Sequence, residues 1–350
     1  MTQVTAYQAP AAKAPFEKAT IERREVGPHD VRIKIAYAGI CHSDIHTARD
    51  EWGEAMYPLV PGHEIAGVVE EVGPEVTSFK VGDHAGIGCM VDSCRECENC
   101  KNDEEQFCLN GGMTGTYNAI DRVEGKPTAG GYSTEIVCDE RFTLHIPENI
   151  PLDEAAPLLC AGITTYSPLH RFGAGPGKKV AVVGMGGLGH MAVKIASAMD
   201  AEVTVLSQTT NKEEDGKKFG AKAYYATKDA DTFTKLAGTF DLIINTVSAQ
   251  LPIEQYLSLL KTHGTLVNVG APADKMEINA FGLLSGGKRW AGSMIGGIKE
   301  TQEMLDFCGE HNIGATVEVI PASKIDEAYD NTVDSKVRYR YVIDIDTMRD

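Results

Sequence analysis

Nine cysteines stand at positions 41, 89, 94, 97, 100, 108, 138, 160 and 308, and five of them fall between 89 and 108. The tightest run is Cys94-x2-Cys97-x2-Cys100-x7-Cys108. Four thiolates at this spacing can converge on one tetrahedral ion and leave it no open position, which describes a structural zinc. Iron–sulfur clusters also use four cysteines with two-residue gaps. Here the intervening Arg95, Glu96, Glu98, Asn99, Lys101 and Asn102 make a polar loop that shields a redox cluster poorly. An odd, clustered set without an export signal argues against a disulfide framework. Cys89, Cys138 and Cys308 stand among apolar neighbours and read as small buried hydrophobes.

A second donor set is scattered over three segments. Tyr37–Ile45 reads YAGICHSDI, Tyr57–Val69 reads YPLVPGHEIAGVV, and Pro157–Tyr166 reads PLLCAGITTY. Singly they say little, since a lone histidine is more often a structural residue than a ligand. Together Cys41, His63 and Cys160 supply two thiolates and one imidazole. That is the three-ligand set of a catalytic zinc whose fourth position stays open for water or substrate. Their meeting in space is an expectation about the fold.

Between Lys179 and Gly184 the chain reads KVAVVG, a short valine-rich run suited to a parallel strand buried on both faces. Gly184-Met185-Gly186-Gly187-Leu188-Gly189 follows and matches G-x-G-x-x-G. Leu188, Ala192, Ile195 and Met199 then recur at helical spacing. Strand, glycine turn and helix in this order let a backbone approach a pyrophosphate held at the helix N-terminus. The next strand, Glu202–Ser207, ends on Ser207 where an NAD enzyme carries Asp or Glu for the ribose 2′-hydroxyl. Gln208, Thr209, Thr210, Asn211 and Lys212 follow. A carboxylate there would repel a 2′-phosphate, whereas hydroxyls and a lysine donate to it. NADP is the predicted cofactor.

The Cys41-His42-Ser43-Asp44 run, Gly62-His63-Glu64 with Gly67, the four-cysteine lobe, Cys160-Ala161-Gly162 and the glycine fingerprint occur in an order that resembles the zinc-dependent medium-chain alcohol dehydrogenases. The pattern is most similar to the branch of cinnamyl alcohol dehydrogenases and bacterial NADP-dependent alcohol dehydrogenases. The resemblance implies that Cys41, His63 and Cys160 hold the catalytic zinc, with Glu64 close enough to exchange with its bound water. It implies that Asp44 holds the far nitrogen of His63 and raises its basicity. Ser43 and His46 would pass the alcohol proton to solvent, a hydroxyl that both donates and accepts beside an imidazole that titrates near neutral pH. The chemistry requires this, because an alcohol must lose its proton before hydride leaves its carbon. Zinc lowers that pKa and polarises the carbonyl in reverse. For the cofactor, the resemblance implies contacts from Gly184, Gly186, Gly187, Leu188 and Gly189, and from Ser207, Thr209 and Lys212. Thr164 would touch the nicotinamide, Val247 would line its pocket, and Ser293, Met294 and Ile295 would border the cofactor and substrate cleft.

These groups need two kinds of scaffold. Phe240–Thr246 and Gly264–Gly270 read as further buried strands separated by a helical stretch near Ile253–Leu260, and Arg289–Ile295 as a closing run. Such alternation predicts an α/β fold with a doubly wound parallel sheet of Rossmann type. The first 150 residues are rich in Gly and Pro, with short alternating runs at Val31–Ala36 and Ala66–Val72. They predict a mainly β domain with long functional loops. The expected boundaries are 1–151 for a catalytic domain carrying the structural-zinc lobe near 89–110, 152–295 for the dinucleotide domain, and 296–350. That last segment has a helical stretch and a strand-like Tyr339–Ile345. By resemblance it returns to the first domain, a discontinuous GroES-like unit. Substrate sites favour the cleft between domains. Arg289–Ile295 lies at the sheet margin, where exposed edges invite pairing, and the resemblance implies a homodimer across it.

Across 350 residues, 33 Lys and Arg against 50 Asp and Glu leave a net charge of −17, which repels nucleic acid and anionic membranes. A 43% hydrophobic and 24% charged composition is that of a globular chain. Apolar runs such as Val180–Val183 are too short to span a bilayer, and Met1–Phe16 lacks the features of a secretory signal, so the cytoplasm is the expected compartment. Trp52, Met56, Tyr117, Met294 and Ile295 suggest an apolar pocket. It suits primary alcohols and aldehydes, aromatic or medium-chain, over sugars or acids. The combined reading is an NADPH-linked alcohol dehydrogenase with two zinc ions per chain, acting mainly as an aldehyde reductase. An NAD-linked polyol dehydrogenase is disfavoured by Ser207, and a zinc-free quinone reductase by the intact ligand set. A non-enzymatic zinc- and nucleotide-binding protein needs no open metal position.

Overall fold

Period-two patterning sets the first strands of the computed structural model, which describes residues 1–272 and 275–349. β1 (Thr2–Gln8) and β2 (Glu17–Arg23) pair as an antiparallel hairpin whose side chains alternate in burial. β3 (Asp30–Gly39), β4 (Ile65–Val72), β5 (His84–Ile87), β6 (Met90–Asp92), β7 (Thr114–Gly115), β8 (Glu135–Asp139) and β9 (Leu144–His145) follow. Next come β10 (Lys179–Val183), β11 (Glu202–Ser207), β12 (Ala223–Ala226), β13 (Phe240–Asn245), β14 (Leu260–Asn268) and β15 (Arg289–Gly292). β16 (Val317–Pro321) and β17 (Arg340–Asp344) close the chain.

Two compact units result, Met1–Cys160 with Gly296–Asp350, and Ala161–Ile295. The first is built on a seven-stranded sheet ordered β16-β17-β3-β4-β5-β9, with β8 also paired to β3. Val31, Ile33 and Ile35 of β3 are fully buried. The tail joins this sheet because β17 pairs antiparallel with the end of β3, Val342 opposite Gly39. The β3–β4 register shifts between Ile35 and Tyr37. Such an irregularity re-aims the end of a strand, here the stretch that leads into Cys41.

The second unit is a six-stranded parallel sheet ordered β12-β11-β10-β13-β14-β15. Val180–Val183 are buried on both faces. The helix Gly187–Ala198 is buried more widely than a single stripe. Gly189–Val193, Ile195 and Ala196 are all covered, while Leu188 and Met199 are half-buried. The cause is that this helix packs on β10 and β11 and also against the helix Ala161–Arg171. β14 starts earlier than its apolar run, because Lys261–His263 form a solvent-facing overhang that carries no hydrophobic period. Strand order reverses between β10 and β13, and ligands of such sheets bind in the crevice beyond the carboxyl ends there. Among the described residues no helix is long and apolar enough to cross a membrane.

Candidate active site

Three separate turns of the first unit deliver the scattered donors to one place. Beyond β3, Cys41 has the extended backbone of an N-cap and opens the helix His42–Ala48. Asp44, fully buried in the first turn, accepts the Cys41 N–H through Oδ2 at 2.9 Å. Its Oδ1 accepts the Gly62 N–H at 3.1 Å and lies 3.1 Å from His63 Nδ1. One carboxylate therefore fixes two ligand-bearing segments, and with Nδ1–H donating to it, His63 keeps a lone pair on Nε2 for a metal. Only glycine suits position 62, where φ is +105° and a Cβ would meet the Tyr132 ring at 2.7 Å. Cys160 follows the tight turn Ala156–Leu159. Donor atoms of Cys41, His63, Glu64 and Cys160 all lie within 4.8 Å of one another, and all four residues are buried. The two sulfurs are 4.0 Å apart. A tetrahedral ion bound at 2.3 Å by sulfur sets them about 3.8 Å apart, so the set fits zinc.

Glu64 has a second suitor. It is fully buried, and its Oε1 accepts from Nη2 of Arg340, itself 5% exposed on β17. Its Oε2 is buried with no hydrogen-bond partner. Burial pushes the Glu64 carboxyl upward, and the Arg340 guanidinium opposes that shift. Nothing local in the sequence marks Arg340. Its partner becomes visible only when β17 docks on β3.

Around this set, Ser43 Oγ lies 3.8 Å from Cys41 Sγ. His46 Nδ1 lies 2.5 Å from Glu51 Oε2, and its ring packs on Trp52 with centroids 4.9 Å apart. Glu51 was missed, since an acid five residues after a histidine is no signal. Tyr117 lies over the His63 ring at 5.7 Å, and the Met56 N–H donates to Asn118 Oδ1. Met294 belongs to the other unit and is largely exposed. Cys138 and Cys308 are buried as expected. Cys89 departs from that expectation. It is half-buried, its thiol 3.9 Å from Leu159 O and beside Cys160, so it borders the donor set rather than the core.

The second cluster is local. The sulfurs of Cys94, Cys97, Cys100 and Cys108 also lie within 4.8 Å of one another, with Cys97–Cys100 at 3.4 Å and Cys94–Cys100 at 3.8 Å. These spacings exceed a disulfide and match a tetrahedral thiolate site. Backbone N–H groups of Cys94, Cys97 and Leu109 point at sulfurs, each at 3.4 Å, as they do toward thiolates. Arg95 ties the lobe to the sheet through Asp92 and Asp139 and stacks over Phe142.

In the second unit the glycine turn stands where β10 ends. A Cβ on Gly189 would meet Gly184 O at 2.2 Å, so the third glycine lets the helix approach the strand, while Gly186 has open space around it. Past β11, positions 207–212 carry no carboxylate. Thr209 Oγ1 donates to Asn211, and Lys212 Nζ donates to Met185 O at 3.0 Å. Thr164 is buried in the helix Ala161–Arg171. The Val247 and Ser293 amides bond Asn245 Oδ1 and Asn268 O, and Ile295 has a φ of +39°.

Residues 27–148 match the alcohol dehydrogenase GroES-like domain, and residues 187–310 match the zinc-binding dehydrogenase family. The chain is 62% identical over 349 residues to NADP-dependent alcohol dehydrogenase C 1 of Mycolicibacterium smegmatis, covering 100% of both chains. It belongs to the zinc-containing medium-chain alcohol dehydrogenases. Among solved members, a cinnamyl alcohol dehydrogenase from Sorghum bicolor is 44% identical with a TM-score of 0.95, over 99% of this chain and 98% of that one. CAD from Helicobacter pylori, solved with NADP(H), is 44% identical with a TM-score of 0.92 over 99% of each. Both zinc-site groups of this medium-chain dehydrogenase are in place, Cys41/His63/Glu64/Cys160 for the catalytic ion and Cys94/Cys97/Cys100/Cys108 for the structural one.

Proposed function

We propose that this dehydrogenase exchanges hydride between NADP(H) and primary alcohols or aldehydes, acting chiefly as an NADPH-dependent reductase of aromatic and medium-chain aldehydes. The single observation that carries the reading is the buried donor set in which Glu64 is engaged by Arg340. Cys41, His63 and Cys160 are left to hold the ion, with the fourth position for water or substrate. Zinc bound there supplies Lewis acidity to the substrate oxygen. The glycine turn would hold NADPH, which would supply the hydride.

The remaining work falls to side chains. Asp44 holds His63 in the tautomer that presents Nε2. Ser43 Oγ exchanges the hydroxyl proton with the substrate. His46 and Glu51, 2.5 Å apart, carry it outward. Trp52, Met56 and Tyr117 present ring and thioether surface to an apolar substrate and bind no carboxylate. Ser207, Thr209 and Lys212 offer donors to a 2′-phosphate, in agreement with the cofactor named for the relatives. Six cysteines given to zinc and three left as thiols suit a reducing compartment, the cytoplasm, and the exposed edge strand β15 suits a homodimer. Steady-state kinetics on an aldehyde panel test the reading. NADPH should exceed NADH in kcat/KM by about 100-fold, the effect of two or more charge-assisted hydrogen bonds to the phosphate. Equal or better use of NADH contradicts it.

A further inference from the structure

Side-chain hydrogen bonds join the carboxyl ends of β13 and β14 to Trp290 within β15 in a chain that the reading above leaves unused. The Val247 N–H donates to Asn245 Oδ1 at 3.1 Å. Asn245 Nδ2 donates to Asn268 Oδ1 at 3.4 Å, and the Trp290 indole N–H donates to the same oxygen at 3.3 Å. Asn245 is 2% exposed. Each end of this chain is a group that can only donate, so the orientation of both amides follows from chemistry. Asn268 also accepts the Ser293 N–H on its own carbonyl at 3.1 Å. The bond to Ser293 is main-chain and any residue at 268 makes it, so what the asparagine side chains themselves fasten is the segment after β13, through the Val247 N–H.

The segment after β13 borders the ligand crevice. Thr246 Oγ1 donates to Val183 O at 2.7 Å, and a Cβ on Gly184 would meet Val247 Cγ2 at 2.8 Å, so Thr246 and Val247 lie directly against the glycine turn. The crevice of this sheet opens where β10 and β13 part. Ser293 Oγ is buried with no partner, a polar atom left for a ligand. Asn245 is buried while Asn268 and Trp290 are half-buried, and in such a partly desolvated network loss of one bond loosens the rest.

We propose that Asn245, Asn268 and Trp290 are positioning residues that set the nicotinamide end of the cofactor by fixing Val247. The inference rests on the NADP(H) reading. The glycine turn and the Ser207 loop grip the pyrophosphate and the 2′-phosphate without help from these three residues. A loosened network therefore releases the nicotinamide while the rest of the cofactor stays held.

Calorimetric titration separates this from a purely structural role. NADPH and the nicotinamide-free fragment 2′-phospho-ADP-ribose are each titrated into the wild type, Asn268→Ala and Trp290→Phe. The Trp290→Phe change removes only the indole donor and keeps a ring, so it decides the matter if Asn268→Ala does not fold. The Kd for NADPH should rise about 10-fold in Asn268→Ala and about 3-fold in Trp290→Phe, the scale of one lost hydrogen bond. The fragment should bind all three proteins within about 2-fold. Equal weakening of both ligands, or unchanged NADPH binding in both variants, overturns the proposal. A wild type that binds neither ligand overturns the cofactor reading itself, and this inference with it.

Discussion

At the scale of single residues, Glu64 is shared between a guanidinium and a set of soft donors, and its burial makes either engagement strong. Replacing Arg340 with methionine keeps the volume but strips a buried carboxylate of its cation, a change of about 3–5 kcal/mol in other proteins. Arg340→Met should therefore lower stability by about 3 kcal/mol. Combining it with Glu64→Gln should recover about 2 kcal/mol relative to the sum of the single changes. Thermal unfolding of the four proteins of this cycle measures the coupling, and additive shifts contradict it. Glu64 was legible in the Gly-His-Glu motif, but Arg340 was not. Their separation of 276 positions is bridged only by the β17–β3 pairing.

At the scale of elements, the four-cysteine lobe and the glycine turn show what short spacing can encode. Cys94 to Cys108 close their own ring of donors, and the metal replaces a hydrophobic core that so few residues cannot build. Cys97→Ser should lower stability by about 4 kcal/mol, roughly 10 °C in Tm, with loss of about one zinc per chain. Calorimetry with metal analysis checks this, and an unchanged Tm with full metal content contradicts it. Cys160→Ser should instead remove most turnover while NADPH still binds through the second unit, which paired kinetic and binding assays check. The lobe's attachment was not legible, because Arg95 reaches Asp139 across 44 positions. The buried face of the helix Gly187–Ala198 was also read too narrowly, since its second packing partner, the helix Ala161–Arg171, leaves no mark on its own spacing.

For the whole molecule, β15 is the open margin of the parallel sheet, and Phe281 and Leu284 of the same unit are 71% and 69% exposed. Unpaired strand edges beside exposed apolar side chains favour association. Sedimentation velocity should give twice the monomer mass, and Phe281→Asp with Leu284→Asp should weaken association about 100-fold, some 3 kcal/mol of lost apolar contact. A monomer at all working concentrations contradicts the assembly. By itself the amino-acid sequence determined the donor chemistry. It supplied thiolates and imidazole of the right types, a lobe closed by its own spacing, a glycine turn between strand and helix, and no acid at Ser207. Such features are local, because a few peptide units limit how far two groups can part. Only the tertiary structure decided which distant thiols share an ion, that Arg340 answers Glu64, that Glu51 meets His46 and that Cys89 borders the site. Those contacts depend on strand registers, loop paths and packing accumulated over the chain, and no short stretch of residues carries that sum.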